Sequence, residues 1–386
     1  MGLVTQSTGE PRVLLVSQRA LQPTLSRCTL YEMEDVVAAV EDADIAVPML
    51  RNTGLRFWLE RASQRLDRRF GWTIKASQRA GMIHLDRDYE LFFFHGENVN
   101  DTAALDAVQD WRARCGIAIC RIEEMWLKDL CYRRTLERLN AFDLVLLGCE
   151  ATAPELAKIL TTRVAYMAPG VDALTFTPPP TPPSRTIDVL WIGRRAPRMH
   201  QALLDHARRN PDSFCYVFDT REGNSRVTRP DQHRAFLADQ IHRTRYFVVN
   251  HGKGDAPHDT AGQRELGYRF FEGAAGGAAL IGYAPDIPSY HAAFDWPDAV
   301  APMPYDCENP LALIRDLDDA PQRVELVRQR NIAECLRRHD YAHRWASTLE
   351  LVGATPPPGL KDRLARLERL AHRVAPEPYR SAVQGA

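Results

Sequence analysis

The sequence has no long apolar run, no surplus of charge and few lysines. No run approaches the 18 apolar residues that suggest a membrane span, so we expect no transmembrane segment. Lys and Arg total 49 against 50 Asp and Glu, and this balance disfavours a nucleic-acid-binding protein. Only five of the basic residues are lysines, which leaves 44 arginines. Guanidinium groups suit bidentate contacts with phosphate and carboxylate groups, although a GC-rich genome also produces this bias.

The eight cysteines contain no CxxC pair and no Cys/His set with zinc spacing. We therefore expect reduced thiols in the cytoplasm and no metal site. Cys120 and Cys149 lie in apolar runs, which predicts that both are buried. The first residues, MGLVTQSTGEPR, lack the pattern of a signal peptide. No GxGxxG motif follows any apolar run, which disfavours a dehydrogenase.

Short apolar runs alternate with helical patterns through most of the chain, and the stretch 51–88 shows neither. The runs that predict strands are 13–16, 91–94, 116–120, 143–147, 163–167, 187–192, 214–218, 246–249 and 278–282. The helical patterns are 31–40, 102–114, 126–140, 152–160 with Thr152 as its cap, 199–209, 231–242, 270–277, 309–318, 320–350 and a last one along Leu360, Leu364, Leu367, Ala371 and Val374. This alternation predicts an α/β fold with doubly wound, mostly parallel sheets.

A proline-rich run at 178–183 separates two such series, which predicts two Rossmann-like domains joined by an extended linker. Ligands of open α/β sheets bind at the carboxyl ends of the strands. We therefore expect a ligand-handling enzyme whose domains face each other across a cleft.

The first candidate ligand contacts follow the strand predicted at 187–192. Gly193 permits a tight turn, and Arg194 and Arg198 come next, ahead of a helix. Guanidinium groups at the carboxyl end of a strand are suited to clamp a diphosphate. The alternative is a solvated loop in an arginine-rich protein.

The second candidate is the segment 265–277, which ends in a run of small residues. Glycine and alanine allow a backbone to approach a sheet or a ligand closely. Glu272 lies near the start of a helix, where the dipole favours a carboxylate, and it is placed to bind the two hydroxyls of a ribose. The alternative is an acidic cap on a tightly packed helix.

The third candidate is His95, which directly follows the apolar run 91–94. At the carboxyl end of a buried strand, a histidine can serve as an acid or base or can hold a substrate hydroxyl. The alternative is a structural role, as expected for most of the twelve histidines. We interpret the pair Glu123 and Glu124, after the next strand, as part of a solvated loop.

Several segments of the second half resemble retaining glycosyltransferases of the GT-B fold, which has two Rossmann-like domains. YMAPGVDALTFTP at 166–178 resembles their hinge, PxGVDxxxFxP, and Gly193-Arg194 resembles their GR motif. GYRFFEGAAGG at 267–277 is similar to their donor motif, G…E-A-x-A-x-G, and is closer to the RxFE version of the CgeB-like branch. HDYAHR at 339–344 resembles the closing Y-x-H-R of that branch. The resemblance covers about 142–350, and the first 140 residues match in architecture alone.

The resemblance implies a glycosyltransferase that moves a sugar from a nucleotide-diphosphate sugar to an acceptor hydroxyl, with retention and without a metal or other cofactor. Arg194 and Arg198 would neutralise the diphosphate, and Glu272 would bind the ribose. Further donor contacts would come from Gly193, Glu265, Tyr268, Arg269 and Phe270. His95 would lie near the anomeric carbon, beside an acceptor whose class the sequence does not identify.

The hinge-like segment divides the chain into an N-terminal acceptor domain, 1–170, and a nucleotide-sugar donor domain, 171–350. Residues 351–386 would form a C-terminal helix and tail. This helix would cross back to the first domain or form a homodimer contact.

The sequence departs from the family pattern at two places. The family's two donor-motif glutamates are one residue further apart than Glu265 and Glu272, so Arg264 occupies the expected place of the first. The family's lysine after GR is absent, and Arg198 is the candidate replacement. Two other functions stay open: a pseudo-glycosyltransferase or epimerase that uses a nucleotide sugar differently, and a nucleotide-sugar-binding protein without transfer activity.

Overall fold

Two β-sheets organise the computed structural model, which describes residues 3–5, 11–49, 82–220 and 225–375. Positions 51–81 of the stretch 51–88, which shows no clear periodicity, lie outside the described residues. The chain divides into two compact units. Unit 1 consists of Met1–Met167, Arg226–Thr228 and Leu349–Gly359, and unit 2 consists of Ala168–Ser225, Arg229–Thr348 and Leu360–Ala386.

The sheet of unit 1 has seven strands in the order β1-β3-β2-β4-β5-β6-β7. The strands are β1 Leu3–Thr5, β2 Val13–Val16, β3 Asp44–Val47, β4 Tyr89–Gly96, β5 Cys115–Ile122, β6 Leu144–Leu147 and β7 Arg163–Tyr166. Only β1 runs antiparallel to its neighbour, β3, and the other pairs are parallel. The predicted parallel sheet is confirmed here, because continuous apolar runs such as Val13–Val16 are buried on both faces.

The first helix predicted in the N-terminal half, 31–40, is confirmed by Cys28–Glu41, but the other helical segments of this half are shorter than the sequence predicts. The α-helices are α1 Cys28–Glu41, α2 Arg133–Leu136 and α3 Ala153–Ala157, and the 3₁₀ segments are Leu25–Arg27, Val99–Ala107, Leu127–Cys131 and Glu137–Ala141. The helix predicted at 102–114 is wrong, because Val108 turns to an extended conformation and bridges Ile83. The helix predicted at 126–140 is broken at Tyr132, whose ψ of 59° is not helical. Thr152 precedes α3 but makes no side-chain capping hydrogen bond, so its predicted capping role is wrong.

The sheet of unit 2 has five parallel strands in the order β12-β11-β10-β8-β9. The strands are β8 Ile187–Trp191, β9 Tyr216–Phe218, β10 Thr244–Asn250, β11 Ala279–Tyr283 and β12 Ala301–Pro302. The helices of the C-terminal half are α4 Ala173–Phe176, α5 Pro197–Arg209, α6 Pro230–His242, α7 Pro257–Thr260, α8 Tyr268–Ala275, α9 Pro288–Ala293, α10 Pro310–Asp318, α11 Pro321–Arg338, α12 Tyr341–Val352 and α13 Pro358–Val374. These strands and helices confirm a second doubly wound α/β unit.

The helix predicted at 320–350 is divided in two, and the break has a tertiary cause. The chain leaves α11 at His339 and forms a parallel bridge between Asp340 and Val171. The Val171 N–H donates to the His339 carbonyl, and the Tyr341 N–H donates to the Val171 carbonyl. The hinge-like segment and the closing segment of the sequence are therefore direct neighbours within unit 2.

A buried carboxylate holds this junction. Asp340 is fully buried and accepts hydrogen bonds from the Ala173 N–H at 2.8 Å and from two nitrogens of Arg363 at 2.8 and 2.7 Å. Arg363 lies on α13 and also pairs with Asp172 at 2.5 Å. The guanidinium of Arg344 donates to the Pro169 carbonyl. Side chains from α12 and α13 thus fix the hinge-like segment.

The last helix is amphipathic, as predicted. Leu360, Leu367 and Ala371 are fully buried, whereas Leu364 and Val374 are partly exposed. Arg337 of α11 donates to the Ala375 carbonyl at 2.6 Å, beyond the end of this helix. None of the helices in the described part of the chain is long and apolar enough to cross a bilayer.

We expect Asp340→Ala to lower the free energy of unfolding by about 3–5 kcal/mol, because it removes one of the two carboxylates that pair with Arg363 and the acceptor of the Ala173 and Ala342 N–H groups. Urea unfolding followed by tryptophan fluorescence measures this loss. The control is Asp231→Ala, which removes an exposed pair with Arg229 and should cost no more than about 1 kcal/mol. Equal losses in the two variants would show that the Asp340 network does not stabilise the protein.

Candidate functional site

The carboxyl ends of β8, β10, β11 and β12 form what we call the carboxyl edge of the unit 2 sheet. The turn after β8 lies at this edge. Gly193 has a φ of +96°, in the left-handed region that favours glycine. Its N–H donates to Asp219 at 3.0 Å. A Cβ at this position would meet no atom within 4 Å, so the backbone conformation, and not space, requires glycine.

The arginines after Gly193 lie at this edge, as predicted, and each has an acidic partner. Arg194 pairs with Asp255 at 3.1 Å. Arg198 pairs with Asp306 at 3.0 Å and also with Glu308. The side chains of Arg194 and Arg198 are 52% and 62% exposed, so both are accessible to a ligand.

A cavity of about 360 Å³ opens at the carboxyl ends of β10, β11 and β12. The loop that leaves β10 forms most of its wall, and residues after β11 and β12 complete it. The lining residues are His251, Gly252, Lys253, Gly254, Pro257, Thr260, Gly262, Gln263, Arg264, Tyr283 and Tyr305. The charged side chains of this wall are cationic, since Asp and Glu are missing from the described residues that line it.

Arg264 and His251 give the cavity its polar character. The Arg264 guanidinium donates to the Tyr283 hydroxyl at 2.9 Å and lies over the Tyr283 ring, 5.6 Å from its centroid. The His251 ring packs against Tyr283 and Tyr305, with centroids 5.4 and 5.9 Å apart. Burial and then the charge of Arg264 lower the pKa of His251, so the ring is neutral at pH 7. The His251 Nδ1 has no hydrogen-bond partner among the described residues.

The loop around the cavity is held in an unusual backbone conformation. Lys253 and Ala261 both have a φ of +52°, which costs side-chain-bearing residues free energy. The Gly252 N–H donates to the Glu265 carbonyl at 3.0 Å, which ties the two ends of the loop together. Glu265 itself is buried, and its carboxylate accepts from Gln263 at 2.5 Å.

Glu272 lies in α8 and joins three helices. Its carboxylate accepts from Arg269 at 2.6 Å and from Arg234, and all of its surface is buried. Arg234 of α6 is 3% exposed, and its guanidinium packs over the ring of Phe176 in α4. Burial opposes ionisation of Glu272, but the charges of Arg234 and Arg269 outweigh it and lower its pKa to about 2. The carboxylate is therefore ionised at pH 7.

In unit 1, His95 belongs to a buried charged cluster. His95 ends up beside Arg121 because β4 and β5 are in parallel register at these residues. The His95 Nε2 lies 2.5 Å from Glu123 Oε1, which also accepts from the Arg121 Nε at 2.5 Å. The interpretation of Glu123 as part of a solvated loop is wrong, since its side chain is 7% exposed. Burial opposes ionisation of Glu123, but Arg121 and His95 hold its pKa far below the ordinary range, whereas burial lowers the pKa of His95.

Comparison with known proteins finds a family match over part of the chain and similar solved structures. Residues 194–350 match the family described as glycosyl transferase-like. The chain is also similar to two crystal structures of Anabaena Alr3699/HepE, one in complex with UDP and glucose and one with UDP-glucose. The TM-scores are 0.51 and 0.52 at 11% and 12% identity, over 88% of this chain and 99% of each HepE chain. This chain has the GT-B fold. Among curated proteins, no match is found.

Within the GT-B chain, the predicted donor residues fall into different environments. Gly193, Arg194 and Arg198 lie at the carboxyl edge. Tyr268 and Arg269 are partly exposed in the first turn of α8.

The other predicted donor residues, Glu265, Phe270 and Glu272, are buried. Phe270 packs against Tyr290 and Phe294 in the core. The ligand roles of all these residues stay predictions.

The small residues of the donor-like motif have the packing role that the sequence indicates. A Cβ on Gly273 would lie 2.4 Å from Phe247 and 2.6 Å from Leu280, so α8 packs closely on the sheet. Cys120 and Cys149 are buried, as predicted, and the eight cysteines, all in described residues, form no disulfide. No group of three or more His, Cys, Asp or Glu side chains in the described ranges is arranged to hold a metal ion.

Sequence reasoning missed the loop that forms the cavity. His251 and Lys253 follow the predicted strand 246–249 directly, so the argument that selected His95 also applies to them. Tyr283 directly follows the predicted strand 278–282 and carries the same signal, whereas Tyr305 follows no predicted strand. The place of both tyrosines beside His251 depends on the order of the strands.

We expect Glu272→Gln to lower the free energy of unfolding by about 3–5 kcal/mol at pH 7, because it removes the negative charge that pairs with the buried guanidinium of Arg234. The carboxylate stabilises the fold only when ionised, and its pKa is about 2 in the fold against an ordinary value of 4.5. Its contribution is therefore complete above pH 4.5 and is lost as the pH falls towards 2. Urea unfolding at pH 7, 4 and 3 measures the difference between the two proteins.

Glu308→Gln is the matched control, since Glu308 is 73% exposed and pairs with Arg198. It should change the unfolding free energy by less than about 1 kcal/mol. A wild-type advantage over Glu272→Gln that stayed constant down to pH 3 would contradict the role of the ionised carboxylate.

Proposed function

We propose that this protein is a glycosyltransferase that moves a sugar from a nucleotide-diphosphate sugar to an acceptor hydroxyl. The cavity at the carboxyl edge carries the proposal, because it lies within the residues that match the glycosyl transferase-like family, at the edge where open α/β sheets bind ligands. Its volume of about 360 Å³ is in the range of small-molecule sites. The HepE structures, which hold UDP with glucose and UDP-glucose, support a donor of this class.

The donor's diphosphate gains negative charge when the bond to the anomeric carbon breaks. Fixed cations near that group stabilise the transition state more than the ground state. We assign this role to Arg194 and Arg198, which lie exposed at the carboxyl edge. The new bond joins the anomeric carbon to the acceptor oxygen, and the acceptor's proton leaves towards the departing phosphate. We infer retention and a metal-independent reaction from the resemblance to GT-B enzymes.

We assign the first domain, 1–170, to the acceptor and the second, 171–350, to the donor. Glu272 is our candidate for the ribose contact, which requires its buried carboxylate to exchange the partly exposed Arg269 for the ribose hydroxyls. His95 would act on the acceptor side, where the pKa lowered by burial keeps its ring neutral. Its contact with Glu123 orients the ring. The cytoplasmic location, the role of 351–386 and the homodimer stay predictions.

The second candidate is a nucleotide-sugar-binding protein without transfer activity. The ion pairs of Arg194 and Arg198 favour this binding-only function, because both guanidinium groups already bind carboxylates in this structure. Release of free sugar from the donor, or its transfer to an added acceptor, separates the two functions.

We expect one of UDP, GDP, ADP, CMP and dTDP to raise the melting temperature selectively and to bind in calorimetry. A ligand at 100 times its Kd stabilises the native state by about 2.7 kcal/mol. The nucleotide that binds names the donor class for the transfer assay. If none of the five binds, the donor assignment is wrong.

We expect Arg194→Ala to lower kcat by about 10²–10³-fold, as the loss of one preorganised charge contact does in other enzymes. Steady-state kinetics with the identified donor measures the change. Arg208→Ala is the control, because Arg208 is an exposed arginine of α5 that pairs with Asp205. An unchanged kcat in Arg194→Ala would remove this residue from the mechanism.

A further inference from the structure

One arginine at the carboxyl edge differs from its neighbours in its partners. Arg194, Arg195, Arg198 and Arg269 each form an ion pair with an Asp or Glu. Arg264 donates only to the neutral hydroxyl of Tyr283, and no carboxylate lies within ion-pair distance of it in the described part of the chain. Its positive charge is therefore not compensated locally.

The other described residues that line the cavity around Arg264 add no negative charge. The lining of the cavity includes a second cation, Lys253, and the described lining residues contain no Asp or Glu. A Cβ on the next residue, Gly254, would lie 2.7 Å from atoms of both His251 and Tyr305. The loop thus packs tightly against the aromatic wall, which keeps Lys253 beside the cavity.

The polar groups of the cavity include hydrogen-bond donors that suit the oxygen atoms of an anion. A guanidinium offers paired N–H donors that match the oxygens of a phosphate or carboxylate. The neutral His251 ring adds a nitrogen, Nδ1, that has no hydrogen-bond partner in the described residues. Tyr283 holds the Arg264 guanidinium by a hydrogen bond and a ring contact, so the donors are oriented before a ligand arrives.

We propose that Arg264, assisted by Lys253, binds an anionic group of the donor inside this cavity. The inference rests on the proposed function and specifies its donor. A glutamate, which the family pattern places at this position, accepts hydrogen bonds, whereas Arg264 donates them. The anionic group belongs either to the diphosphate or to a carboxylate on the donor sugar.

The test is calorimetric titration of wild type, Arg264→Gln and Arg264→Lys with four probes: inorganic pyrophosphate, UDP, UDP-glucose and UDP-glucuronate. We expect Arg264→Gln to lose about tenfold or more in affinity for the anion that it binds, and Arg264→Lys to retain part of that affinity. Arg264 is exposed, so its replacement should leave the melting temperature unchanged. Arg208→Gln, on α5, is the matched control for the loss of one positive charge.

The pattern of losses identifies the source of the anion. Weaker binding of pyrophosphate and UDP assigns Arg264 to the diphosphate. A loss confined to UDP-glucuronate, with UDP-glucose unaffected, assigns it to a carboxylate of the sugar. Equal affinities of wild type and Arg264→Gln for every probe that binds would overturn the inference.

The same data distinguish this inference from the proposed function. Pyrophosphate binding that depends on Arg264, together with no binding of UDP, GDP, ADP, CMP or dTDP, would support the anion site and contradict the nucleotide-sugar donor. Nucleotide binding that is equally strong in wild type and Arg264→Gln would support the nucleotide-sugar donor and contradict the anion site. A wild type that binds none of the probes would overturn the anion site.

Discussion

The buried carboxylate of Asp340 is the interaction on which the frame of unit 2 depends. It accepts from the backbone N–H groups of Ala173 and Ala342 and from two nitrogens of Arg363. A buried ionised group is tolerated only when such donors surround it. The same residue bridges Val171 and ends the long helical pattern of the C-terminal half. One side chain thus connects three distant segments: the hinge-like segment, the closing helices and the last helix.

The sequence predicts the strands well because they are short, apolar and buried on both faces. The segments 187–192 and 246–249 differ from the observed strands by three residues or fewer at either end. The helices are predicted less well where pairing with a backbone segment distant in sequence determines where they end. Val108 leaves its helix to pair with Ile83, and Asp340 interrupts another to pair with Val171. No local pattern contains those partners, and the strand Asp44–Val47, which begins with a charged residue, is not predicted.

Local sequence patterns likewise predict only part of the candidate site. Apolar runs locate the carboxyl ends of strands, and they led to Gly193, Arg194 and His95. They do not show which side chains from neighbouring strands meet. Glu123 looks solvated beside Glu124, yet the register of β4 and β5 places it between His95 and Arg121.

Charge pairing divides the candidate residues into two physical classes. Exposed ion pairs such as Arg194–Asp255 contribute about 0–1 kcal/mol, so exchanging the carboxylate for a ligand phosphate costs little. Buried pairs such as Arg234–Glu272 are costly to break, so they position helices and resist exchange. Arg264 belongs to neither class, because its charge has no carboxylate to displace among the described residues. An anion that bound at Arg264 would therefore meet no competing carboxylate of the described residues, whereas one that bound at Arg194 would have to replace Asp255.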